Sequence, residues 1–274
     1  MHIRQESENY TRECYALQLD IRGYFMHIDR MRLLEIATKS LKKMSKHEAR
    51  EGLLWEDVID MDFVLWLTKE IVLLNPRGNC KIVGTWDDWN GLDKNKSLFY
   101  TEEGKGLPIG NLTSQLFSNV YMNAFDQYMK RTLGCKHYGR YVDDAYVIGR
   151  DKEWLLSLVP RINTFLRDNL GLEIHMGKLH LIDVKYGVCF LGAFVKPHRV
   201  YVSNMTLKRM LASMGRMNMG DHEAVYRSVN SYLGTLRHYK TYKIRSAIFL
   251  KEKFLKIGGF DRNVTKMVLP KFFQ

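Results

Sequence analysis

Apolar and polar residues alternate along Tyr15-Ala-Leu-Gln-Leu-Asp-Ile21, which predicts a strand that ends at an acid. From Asp29 to Lys43, Met31, Leu33, Leu34, Ile36, Ala37 and Leu41 recur at helical spacing, with Asp29 placed as the N-cap. A second helix is predicted over Trp55–Leu74, stopped by Asn75-Pro76-Arg77-Gly78. Between Asn75 and Gly110 the texture changes to Gly, Asn, Asp and Lys around Trp86 and Trp89, the pattern of a long irregular connection. The helical period resumes over Thr113–Thr132. Two short strands, Cys135–Val142 and Ala145–Gly149, then meet at a turn holding Asp143 and Asp144. An amphipathic helix follows over Lys152–Asn169. Strands at Val188–Lys196 and Arg199–Val202 flank a turn at Pro197, and the pattern is helical from Met205 onward. This order predicts an α+β fold: an antiparallel sheet with helices over 1–202, with an insert at about 75–106, then a helical domain over 203–274.

Composition narrows the classes. At 274 residues and 46% hydrophobic, the chain can bury a core. Cys14, Cys80, Cys135 and Cys189 lie far apart, with no C-x-x-C pair and no histidine cluster beside them. That spacing argues against a zinc site or a disulfide framework and predicts reduced thiols in the cytoplasm. No apolar run is long enough to cross a bilayer, so no membrane partner is expected. The net charge of +12 is uneven: residues 203–274 hold 14 Lys and Arg against 4 Asp and Glu. A basic helical segment laced with Tyr226, Tyr232, His238, Tyr239 and Tyr242 suits a phosphate backbone, although a solvated helical face carries the same charge.

The acids supply candidate chemistry. Asp20 ends a predicted strand, while Asp143 and Asp144 sit at a hairpin tip. Side chains adjacent in a strand face opposite ways, so a hairpin aims one carboxylate directly and the turn can bring the other close. Clustered carboxylates repel unless a cation lies between them. Magnesium binds such oxygens while keeping positions for phosphate and water. Taken alone, Asp-Asp between strands is only a polar turn.

The surrounding motifs extend the reading. Leu19-Asp20-Ile21-Arg22-Gly23-Tyr24-Phe25, Gly106-Leu-Pro-Ile-Gly110 with Ser114-Gln115, Tyr141-Val-Asp-Asp144, Gly177-Lys178 and Phe190-Leu191-Gly192 occur in the order seen in reverse transcriptases, which this chain resembles. Within that superfamily, Ile109-Gly110-Asn111-Leu112-Thr113-Ser114-Gln115 most resembles the enzymes of diversity-generating retroelements. Group II intron and retroviral relatives usually carry Gln before that Gly and Pro after the Ser. The alternatives are a group II intron-like or retron-like reverse transcriptase, or a non-catalytic RNA-binding palm.

The resemblance implies a right-hand polymerase palm, ferredoxin/RRM-like, followed by a helical basic thumb. It implies RNA-directed DNA synthesis by two-metal nucleotidyl transfer, producing adenine-mutagenised cDNA. Asp20, Asp143, Asp144 and the Ile21 carbonyl would hold two Mg²⁺ ions, with Mn²⁺ a possible substitute, and Lys178 would act as general acid. Phe25 matches the gate against ribonucleotides, and Ile109, Gly110 and Gln115 match the nucleotide pocket. Phe190, Leu191 and Gly192 resemble the hairpin that grips the primer. Arg237, His238, Lys240 and Lys243, together with Arg140, are candidates for backbone phosphate. Partners would be an RNA template, a DNA or RNA primer, dNTPs and a small basic helical accessory protein. Relative to the family, only a remnant of fingers is expected, at residues 1–14, and weak or absent polymerisation by this chain alone.

Overall fold

The computed structural model describes residues 1–78 and 80–268. Asn79 and 269–274, which fall in the expected insert and the expected C-terminal domain, lie outside the described residues. The chain forms two compact units: Met1–Glu8 with Cys14–Leu181, and Asn9–Glu13 with Ile182–Gln274. The division falls at 181/182 rather than at 202/203, because the strands ending at Val202 share the core of the helical unit.

The sheet of the first unit has β1 (Tyr15–Leu19), β2 (His137–Tyr141), β3 (Asp144–Gly149) and β4 (His180–Asp183, where the first unit ends) in the order β2-β3-β1-β4. The β1–β3 pairing is antiparallel, with Leu17 opposite Val147 and Leu19 opposite Ala145. These four residues share one face, and all are buried. Helices Leu112–Gln127 and Lys152–Phe165 bring Tyr121, Met122, Phe125, Leu155, Leu158 and Ile162 into the same core. Each helix continues into a π-helical turn, Tyr128–Thr132 and Leu166–Leu170. The Tyr121 hydroxyl donates to the Leu170 carbonyl at 2.5 Å, tying the two elements together.

Helix α1 (Arg30–Ser45) starts where predicted, with Asp29 accepting from the Arg32 N–H at 2.9 Å. The expected helix Trp55–Leu74 is broken instead. A short turn, Trp55–Val58, stops at the extended Ile59, and α2 (Met61–Leu73) begins afresh with Asp60 accepting from the Phe63 N–H. Asp57 and Asp60 each satisfy a backbone donor, at Leu54 and Phe63, and two caps so close divide one helical pattern. The Arg30 guanidinium donates to the Leu73 and Leu74 carbonyls and so caps the other end of α2.

The connection from Asn75 is irregular, with single turns at Trp86–Trp89, Lys94–Lys96 and Leu98–Tyr100. It is pinned at its end: Gly106 and Leu107 donate to the carbonyls of Ile28 and Phe25, both at 2.9 Å. Gly106 has φ +89, and a Cβ there would stand 2.7 Å from Leu98 Cδ1, so glycine alone fits.

The second unit opens with a three-stranded antiparallel sheet, Val188–Phe190, Ala193–Lys196 and Arg199–Val202. The predicted strand Val188–Lys196 is therefore two strands, because Leu191 (φ 48) and Gly192 (φ 79) turn the chain back on itself. Helices Asn204–Gly215, His222–Leu236 and Tyr242–Phe249 close over Met210, Met214, Val225, Val229, Leu233 and Phe249. Among the described residues no disulfide forms, and no helix is long and apolar enough to cross a membrane.

Phe125 is 1% exposed. Phe125→Ala is expected to cost about 3–5 kcal/mol in denaturant unfolding, through lost burial and a residual cavity. Tyr121→Phe, which strands the Leu170 carbonyl, is expected to cost about 1–2 kcal/mol.

Candidate active site

The register of β1 on β3 decides which acids meet. Since Leu19 pairs with Ala145, the residue that follows β1, Asp20, lies abreast of the turn that joins β2 to β3. Tyr141 pairs with Asp144, leaving Val142 and Asp143 as the two turn residues. Val142 has φ +57, a conformation that a β-branched side chain adopts only under strain. Arg140 restrains it. Its Nη1 donates to the Val142 carbonyl at 2.7 Å, while Nε and Nη2 grip the two Asp126 carboxylate oxygens at 2.8 and 2.7 Å. The Tyr138 hydroxyl donates to the same carboxylate at 2.6 Å. With its side chain only 7% exposed, Arg140 is committed to this brace and is not a backbone-phosphate residue as expected. Both ends of the brace, Asp126 on its helix and Tyr138 on β2, escaped the sequence reading because only the fold brings them together.

Asp20, Ile21, Phe25, Ile109, Asp143 and Lys178 line one cleft of about 640 Å³. Asp144 stands on β3 beside it and is not part of the lining, and neither are Gly110 and Gln115, both exposed. The cleft wall also includes residues the sequence reading had not singled out. Asp93, Asn95 and Lys96 come from the irregular connection, and Glu173, His175 and Met176 precede Lys178. The His175 N–H donates to the Asp20 carbonyl at 2.8 Å and the Arg22 N–H to the Glu173 carbonyl, which holds this second wall to the end of β1. Phe25 packs edge-on against Tyr24, whose hydroxyl is fixed on the Ser118 carbonyl at 2.7 Å.

Electrostatically the cleft sets the Asp20 and Asp143 carboxylates beside the Lys178 ammonium, with Arg22 and Lys96 farther along its wall. Lys178 Nζ donates to Asp20 Oδ2 at 2.8 Å, and this bond raises the Lys178 pKa above the ordinary lysine value. Burial pushes the Asp143 carboxyl above the usual aspartate range, and the Asp20 carboxylate adds to the push. For Asp144 burial again leads, followed by the charges of Asp143 and Asp20. Among the described residues no three of His, Cys, Asp or Glu form a group that could hold a metal ion. The donors nevertheless fit a hard cation, since they are carboxylate oxygens and that of Asp20 already binds an ammonium.

In the second unit Phe190 and Ala193 close the hairpin at Leu191-Gly192. Arg237, His238, Lys240 and Lys243 are all exposed, and Lys240 lines a cavity of about 630 Å³ with Phe194, Lys196 and Tyr201.

A family model for Reverse transcriptase (RNA-dependent DNA polymerase) matches residues 1–195. The chain belongs to the reverse transcriptase family. Solved structures agree on the fold. Apo telomerase from Candida tropicalis is 12% identical with a TM-score of 0.52, over 93% of this chain and 43% of that one. Telomerase from Candida albicans, in complex with a TWJ fragment of telomeric RNA, is 11% identical with a TM-score of 0.51, over 93% and 42%. The C. tropicalis enzyme with the same kind of RNA fragment is 14% identical with a TM-score of 0.51, over 90% and 37%. This reverse transcriptase chain thus spans well under half the length of those telomerases. No curated protein matches it.

The raised carboxyls give a signed pH prediction. A carboxyl whose folded pKa lies above its unfolded value favours folding while protonated, and that stabilisation is lost as pH rises through the folded pKa. Asp143→Asn and Asp144→Asn mimic the protonated state. In chelator at neutral pH both are expected to raise the melting temperature. The gain should vanish below about pH 4, where the unfolded carboxyl is protonated too. A second measurement probes the brace: Arg140→Met, which leaves Asp126 with the Tyr138 hydroxyl but no counter-charge, is expected to cost about 3 kcal/mol in denaturant unfolding, with Arg140→Lys recovering part of it.

Proposed function

We propose that this chain carries the catalytic palm of an RNA-directed DNA polymerase of the diversity-generating type. The observation that carries the reading is the convergence of Asp20 and Asp143 on one cleft, with Lys178 hydrogen-bonded to Asp20. Asp20, Asp143, Asp144 and the Ile21 carbonyl would hold two Mg²⁺, with Mn²⁺ able to substitute. When bound, such ions lower the pKa of the attacking hydroxyl and offset charge on the leaving pyrophosphate.

The chain's own residues do the positioning. Arg140 and Asp126 fix the turn that aims Asp143, so its carboxylate needs no reorganisation when substrate arrives. Lys178, kept protonated by Asp20, can present its ammonium to a triphosphate once that bond is exchanged. Phe25, held against the pinned Tyr24, would bar a ribose 2′-hydroxyl. Ile109, 68% exposed at the cleft, offers only apolar contact where a relative with Gln would hydrogen-bond. That supports loose discrimination opposite template adenine and hence mutagenic cDNA. RNA template, primer and dNTPs are the partners, with the primer end on Phe190, Leu191 and Gly192 and backbone phosphates on the exposed thumb cations. A small basic helical accessory protein and a cytoplasmic setting complete the proposal.

Primer extension on an RNA template tests the reading. Asp143→Ala is expected to lower extension by roughly two to three orders of magnitude while hybrid binding persists. Millimolar Mn²⁺ should raise the melting temperature of the parent chain and not that of Asp143→Asn. Ile109→Gln should reduce misinsertion opposite adenine relative to the other bases. Extension unaffected by Asp143→Ala would sink the assignment of the site, and unaltered misinsertion would sink the subgroup.

A further inference from the structure

The outward face of α2 is apolar where a solvent-facing helix should be polar. Its inner side, marked by the buried Thr68 and Val72, packs toward α1. On the opposite side Phe63, Leu67, Glu70 and Leu74 follow one another at i, i+4, i+7 and i+11, flanked by Trp66 and Ile71. Phe63 is 54% exposed, Trp66 55% and Leu74 66%, and the Phe63 and Trp66 rings lie 5.6 Å apart. The spacing is that of a helix–helix seam. A contiguous exposed patch of this kind marks an interaction surface.

Its rim is acidic. Within a chain of net charge +12, residues 55–74 hold Glu56, Asp57, Asp60, Asp62 and Glu70 against Lys69 alone. All five acids are exposed, and among the described residues none of them is in an ion pair. That charge repels phosphate and anionic lipid, which argues against nucleic acid and membrane as occupants. It also argues against a second copy. A two-fold dimer through this face would set its acids against themselves.

We infer that this face docks an amphipathic helix of another protein, with apolar residues along its seam and Lys or Arg on its flanks. The inference rests on the proposal above in giving its basic helical partner a place to dock, and its peptide test is separate from extension and misinsertion because none of these residues lines the catalytic cleft.

Labelled peptides of about three heptads, with Leu at the seam and either Lys or Glu at the flanking positions, provide the probe. In fluorescence anisotropy with the whole chain, the Lys peptide is expected to bind in the micromolar range and the Glu peptide at least about tenfold more weakly. Phe63→Ser/Trp66→Ser should weaken the Lys peptide by at least about tenfold, with the circular-dichroism melt unchanged. Asp62→Lys/Glu70→Lys, at two exposed positions, should exchange the preference. The inference is overturned by no binding at about 100 μM, equal binding of both peptides, or indifference to both variants. Sedimentation showing a dimer that Phe63→Ser/Trp66→Ser dissociates would overturn it as well, in favour of self-association.

Discussion

Carboxylates brought together away from bulk water repel, and the first unit is built around holding Asp20, Asp143 and Asp144 in that arrangement. No local sequence preference would assemble them. The β1–β3 register brings Asp20 to the hairpin, and the buried strands and helices beneath keep that register from slipping. The turn then demands an unfavourable Val142, which the Arg140–Asp126 brace holds by its carbonyl. Burial raises both hairpin carboxyls, so their ionised form costs folding stability. Stability is given up locally and recovered in the core, the pattern expected of a functional site.

Much of this was legible in sequence because its causes are local. Alternation predicted the strand beginning at Tyr15, Asp29 announced the start of α1, and two acids between short apolar runs announced the hairpin. Motif order supplied Asp20, Phe25 and Lys178. What escaped depends on distance or competition. Arg140 read as a surface cation because its partner sits fourteen residues upstream on a helix. Asp57 and Asp60 looked like interior polar positions of one long helix, but capping outweighed continuity there. Leu191-Gly192 sits inside an apolar run, where periodicity is blind to a tight turn and only the resemblance to a primer-gripping hairpin pointed to it. The irregular connection offered no period at all, so nothing in it singled out Asp93, Asn95 and Lys96 as cleft residues.

The two acidic regions of this basic chain meet opposite fates, and the contrast is physical. In the cleft the acids converge inward, burial magnifies their repulsion, and Lys178 supplies an ammonium 2.8 Å from Asp20. Around α2 the acids point to water, where solvation and salt screen them and no internal cation is needed for folding. Screened charges cost the monomer little, yet they still steer what approaches an exposed apolar seam. An acid cluster answered from within marks chemistry that must be preorganised. One left unanswered around Phe63 and Trp66 marks recognition, because the counter-charge has to come with the partner.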